Sequence, residues 1–179
     1  MFTTLKRILS ISRREPVKPI IDVVVTSNDL FGDQITEDLQ KNGYSVTSNA
    51  KNILSDIFPK AGTSYRLVIL KVPGEEISYS KARRFGKKCG YKLLPIEVAS
   101  LLAKAVSIAE LKVHGIRWVG CMSKPISGVY HDRILSFGRN SDESLWFGAV
   151  EAFLLLNEGS IPLVFKQGGA FAFFCPITT

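Results

Sequence analysis

YKLLPIEVASLLAKAVSIAELKVHGIRWVGCMSKPI, residues 91–126, is the most strongly patterned stretch of this chain. Leu94, Val98, Leu101, Leu102 and Ala105 recur at i, i+4, i+7, i+8 and i+11, one face of a 3.6-residue period. Pro95 suits the first helical position, where its missing N–H would be unpaired anyway. Glu97 falls in the first turn and Lys104 towards the other end, each with the sign that the helix dipole favours. That accounts for Glu97, which has no partner acid, base or metal ligand near it in sequence. After a polar link, Ile116, Trp118, Gly120 and Met122 alternate with Arg117, Val119 and Cys121. This is the pattern of a strand with one face buried and the other mostly so. The chain then leaves through Pro125.

Upstream, IIDVVVT (Ile20 to Thr26) reads as a strand rich in β-branched residues. A helix over Asp33 to Lys41 is stopped by Asn42-Gly43. Ser48 or Asn49 caps a second helix, with Ala50, Ile53, Leu54, Ile57 and Phe58 on its apolar side. The single Gly32 after the first strand is not a G-x-G-x-x-G, and no phosphate-binding G-x-x-x-x-G-K-[ST] occurs, so nucleotide-cofactor binding is not expected. YRLVILKV (Tyr65 to Val72) is a second buried strand, turned by Pro73-Gly74. A short helix from about Ser78 to Cys89 follows, closed by Gly90.

That helix holds the densest charge in the chain. Lys81, Arg83, Arg84, Lys87 and Lys88, with Lys92 just beyond, carry no acid among them, and Tyr79 and Phe85 are interleaved. Part of the charge complements the helix dipole. A basic run with aromatics is also the footprint of a nucleic-acid or acidic-protein partner. Lys81, Arg84 and Lys88 share one face at i, i+3 and i+7.

Downstream, a loop over Ser127 to Asp132 leads to short strands at Ile134 to Arg139, Ser144 to Ala149, Ile161 to Lys166 and Ala170 to Cys175. Asn140 to Glu143 makes a polar turn, and Gly168-Gly169 a tight hairpin. Ala149 to Asn157 fits either an extended strand or a short helix. With Ile116 to Met122 these form an antiparallel meander of about five strands. The expected fold is α+β: an α-rich N-terminal half with two buried strands, packed on a C-terminal meander. Residues 19–179 form one α+β domain.

Residues 1–18 form a basic arm, with Lys6, Arg7, Arg13, Arg14 and Lys18 against Glu15. It reads as an interfacial anchor, a partner-binding arm, an import presequence or a solvated terminus. No apolar run reaches the roughly 18 residues of a membrane span. The three cysteines, Cys89, Cys121 and Cys175, are scattered and form no metal motif. That fits a reducing, cytoplasmic setting and no cofactor. The net charge of +7 leans towards anionic partners.

Gly90, Pro95, Glu97, Val98 and Ala99, then Met122, Pro125 and Ile126, then Leu145-Trp146 and GAFAF (Gly169 to Phe173) carry a resemblance. In that order and spacing the chain resembles a family of short, uncharacterised bacterial proteins. Their pattern is a P-x-E-V-[AG] helix start, a strand ending M-x(1,2)-P-I, and an aromatic-rich closing strand. The resemblance implies a shared fold and brings no established activity. Lys124 stands where the family usually has an acid, and Val150 to Gln167 is longer and more apolar than its pattern.

The function expected is a non-enzymatic binding module that meets nucleic acid or an acidic protein through the basic helix. One alternative is a hydrolase using Cys121 with His131, or scattered carboxylates; Asp29, Asp33, Asp132 and Asp142 all have turn or helix-start reasons to be where they are. A second is membrane-surface association through the arm. Cys89, beside Lys87 and Lys88, is expected to be an exposed thiol of lowered pKa.

Overall fold

The computed structural model describes residues 17–126, 131–156, 159–162, 164–165 and 168–176, apart from the side chains of residues 131, 152–156, 159–162 and 164–165. The basic arm, up to residue 16, lies outside them.

Strand β1 (Ile21–Thr26) leads through Gly32 into α1 (Asp33–Lys41), and β2 (Tyr44–Val46) follows the Asn42-Gly43 stop. Thr47, rather than Ser48 or Asn49, caps α2 (Ser48–Leu54) by accepting from the Ala50 amide. Then come β3 (Ser64–Leu70), the short β4 (Ile77–Ser78) and α3 (Tyr79–Lys88). Pro95 sits just ahead of a 3-10 turn (Ile96–Val98) that runs into α4 (Ala99–Ala105).

The expected polar link is a further helix, α5 (Ile108–Val113). The Ser107 side chain accepts from the Glu110 amide while the Glu110 carboxylate accepts from the Ser107 amide, a reciprocal cap that satisfies two otherwise orphaned donors. Because the chain turns extended at Val106 to begin this second helix, Val98, Ala99, Leu102 and Ala103 face the core and Ala105 faces solvent.

Strands β5 (Trp118–Cys121), β6 (His131–Arg139), β7 (Leu145–Leu156), β8 (Gly159–Pro162), β9 (Val164–Phe165) and β10 (Gly169–Cys175) complete the described elements. Ala149 to Leu156 is thus strand, continuous with the residues before it.

The fold is α+β. One mixed sheet of eight strands runs β1-β3-β10-β5-β6-β7-β2, with β8 paired to β7. Its topology departs from the expected meander in three respects. Only β5 to β8 follow one another as antiparallel neighbours. Strand β10 lies between β3 and β5, antiparallel to the first and parallel to the second. The hairpin expected at Gly168-Gly169 does not form, since β9 pairs with β4. The N-terminal strands are part of this same sheet: β1 and β3 form one edge, and β2 pairs parallel with β7 at the other.

Strand alternation divides the sheet into two faces. Leu67, Ile69, Ala170, Ala172, Val119, Cys121, Leu135, Phe137 and Phe147 pack with α1, α2, α4 and α5 in the larger core. Val68, Leu70, Met122, Ile134, Phe171 and Phe173 point the other way and meet Ile77, Tyr79 and Ala82 in a second core, covered by α3. Ion pairs pin the outside of the first layer, Lys104 to Asp38 and Lys112 to Glu143. On the α3 side, Arg66 is held by both oxygens of Asp22, at 3.0 and 2.6 Å. This pairing keeps the Asp22 carboxyl below its usual range.

Candidate functional site

Helix α3 forms where a polar cap and a glycine stop bracket a strongly two-sided segment. The Ser78 hydroxyl accepts from the Lys81 amide at 3.2 Å. At the other end Gly90, with φ of 85°, takes the left-handed conformation that a side chain would resist. There the Gly90 amide donates to Lys87 and the Tyr91 amide to Gly86, satisfying two of the last carbonyls.

Tyr79, Ala82 and Gly86 face inward. Gly86 admits the Phe173 ring to van der Waals contact with the helix backbone, and the Tyr79 hydroxyl donates to the Ser123 carbonyl at 2.8 Å. With that face fixed, Lys81, Arg83, Arg84, Lys87 and Lys88 are all exposed, as is Lys92. Lys81 donates to the Glu76 carbonyl at 3.3 Å; among the described residues none of the six pairs with an acid.

The six cations form two groups. Lys81, Arg84 and Lys88 run along the outer stripe. Arg83 and Lys87, one turn apart, turn instead towards the sheet and line a cavity of about 260 Å³ with Tyr91, Lys92, Leu93 and Phe173. Lys92 is fixed there by paired backbone bonds with Phe174 at 2.9 and 3.0 Å. The Tyr91 ring stacks on Phe173, centroids 6.5 Å apart and planes 29° from parallel. Burial raises the Tyr91 phenol above its usual pKa, so it is neutral at physiological pH. The basic run was visible in the sequence; its aromatic floor was not, because Phe173 arrives from β10.

The P-x-E-V and M-x-x-P-I segments also converge. The Leu94 amide donates to the Met122 carbonyl at 2.8 Å, joining the two motifs. Leu93 to Ile96 and Ser123 to Ile126 then frame an apolar cavity of about 420 Å³, with Lys124 exposed on its rim. Its neighbour, sharing Ile96 and Ile126, is lined by Asn49, Asn52, Asp56 and Arg133.

The Cys121–His131 pairing meets two obstacles. Cys121 is completely buried in the larger core, and burial pushes its thiol up to about 12, so no thiolate forms near neutrality. The β5–β6 register also brings Gly120 opposite Ser136. Continued by one residue, Cys121 falls opposite Leu135, four residues or about 13 Å of strand from His131. The His131 side chain lies outside the described residues. Asp142 serves its turn, accepting from Ser144. Among the described residues no group of three or more His, Cys, Asp and Glu could hold a metal ion.

Cys89 requires a correction. It is half-buried, and desolvation raises its pKa, with no offset from the neighbouring Lys87 and Lys88. A disulfide reagent applied to native protein at pH 8 is therefore expected to modify Cys89 and Cys175 slowly and Cys121 only after denaturation. Modification of Cys121 in the native state would show that its strand opens.

No family model, no curated protein and no solved structure matches this chain. Among the described residues no helix is long and apolar enough to cross a membrane.

Proposed function

We propose that this protein is a non-enzymatic module that binds nucleic acid, taking its phosphates on helix α3. The observation that supports the reading is the division of labour on that helix: its apolar face is fixed against Phe173, while its cations stand exposed and unpaired with acids among the described residues. An exposed cation keeps its counterions until a polyanion displaces them, and their release drives association. Lys81 to Lys88 span about 10 Å of helix axis, enough to meet successive phosphates. No base-reading motif accompanies them, so binding is nearly independent of sequence.

Titrating a labelled oligonucleotide at increasing salt tests this reading. The wild type is expected to show steeply salt-dependent affinity. Arg84→Glu with Lys88→Glu should weaken binding and flatten the log–log slope by roughly 1.4 on a single strand, about 0.7 for each phosphate no longer neutralised. Stability should fall by no more than about 1 kcal/mol, since both side chains are exposed and only Lys88 lies in the last turn, where the helix dipole favours a cation. Absence of salt-sensitive binding at low ionic strength would reduce the basic run to a solvated helix face.

A further inference from the structure

The geometry points to single-stranded nucleic acid as the ligand, with one unstacked base held against Tyr91 in the groove between α3 and β10 and its flanking phosphates on Arg83, Lys87 and Lys92. The inference rests on the nucleic-acid reading above and narrows it. Three features of the groove carry it.

Its lining is of mixed character. The Tyr91 ring and Leu93, backed by the buried ring of Phe173, supply an apolar, aromatic surface, and Arg83, Lys87 and Lys92 surround it with charge. A carboxylate from an acidic protein would satisfy the cations but leave the rings unused. A nucleotide matches both, since every base has a stackable face and every linkage an anion.

Its size is also selective. At about 260 Å³ the cavity lies just below the roughly 300–1,000 Å³ of pockets for drug-sized ligands, a scale that suits one ring system. Within a duplex both faces of each base are already covered by neighbours. Only an unpaired strand can splay a base out to lie on an aromatic side chain.

The floor is fixed in place before any ligand arrives. Tyr91 is backed by Phe173, which is 1% exposed and packed against α3. Lys92 is tied through its backbone to β10. The aromatic floor has little ordering entropy left to lose on binding, the usual advantage of a preformed surface.

The experiment uses fluorescence anisotropy with a labelled ten-nucleotide oligoadenylate, a duplex of equal length, and polyglutamate as competitor. The single strand is expected to bind about ten-fold tighter than the duplex, and polyglutamate to compete poorly. Tyr91→Ala should weaken single-strand binding about five-fold or more, the loss of one base stack, with the salt slope unchanged. Tyr91→Phe should retain it. In an oligonucleotide carrying 2-aminopurine, wild-type protein should quench the probe, a readout that does not depend on any variant folding. Equal affinity for duplex and single strand, wild-type affinity in Tyr91→Ala, or no quenching would each overturn the stacking site. If salt-sensitive binding persists in those cases, the nucleic-acid reading stands without it. No salt-sensitive binding to any oligonucleotide overturns both, as does polyglutamate binding as tightly as the oligonucleotide.

Discussion

Replacing Phe173 by alanine is expected to lower stability by about 3–5 kcal/mol, the cost of losing a buried aromatic ring and leaving the space empty. The side chain is 1% exposed and lies at the centre of the second core, against Gly86 on one side and Tyr91 on another. A companion substitution tests the geometry itself. A Cβ on Gly86 would stand 2.2 Å from the Phe173 ring, a separation that no packed pair tolerates. Gly86→Ala should therefore cost about 1–3 kcal/mol, although alanine is the better helix former by about 1 kcal/mol. In a Phe173→Leu background the clash is relieved and the helix preference remains, so the effect of Gly86→Ala should shrink or change sign. Urea unfolding of the four proteins measures this coupling. Additive effects would mean that the ring and the helix do not touch.

Gly138→Ala should be comparably damaging, at about 3 kcal/mol, for a different reason. Its Cβ would lie 2.4 Å from the Arg117 carbonyl oxygen and 2.9 Å from the Trp118 Cα. Both are backbone atoms of the neighbouring chain, so no side chain can swing aside. Moving that chain would break the Arg139–Arg117 backbone bond at 2.9 Å and disturb the β5–β6 register. Gly148→Ala, two strands from β5, is the control. Its nearest atoms stand at 3.4 Å, ordinary contact, so the substitution should be neutral or slightly stabilising because alanine restricts the unfolded chain. Equal unfolding midpoints for the two variants would refute the close approach at Gly138.

Local chemistry in the sequence marked most elements but not their partners. The β-branched run of β1 and the Asn42-Gly43 stop of α1 are decided by neighbours in sequence, and both were legible. The S-x-x-E cap of α5 is equally local, but so short a helix shows little periodicity, and the pattern predicts only a link there. Phe58, placed on an apolar side, is 74% exposed because α2 ends four residues earlier. The parallel pairings of β10 with β5 and of β2 with β7 leave no local trace, since a strand's alternation reveals its two faces and not its neighbours. The candidate groove divides in the same way. Its cations sit on one helix or just beyond it and are legible in the sequence, whereas Tyr91 and Phe173 meet only through the placement of β10.

That placement governs how the chain must be made. The strand that joins β3 to β5 is the last of the described strands to be synthesised. Until it emerges, the inner edges of both neighbours stand open, each a row of unsatisfied amides and carbonyls able to recruit another chain. From Cys121 to Cys175 is roughly fifty residues, several seconds of translation at about 5–20 residues per second. Until β10 is made, no strand joins β3 to β5 in the sheet. The protein's yield in a cell will depend on how well those edges are shielded by chaperones, and slowing translation after β5 should increase aggregation.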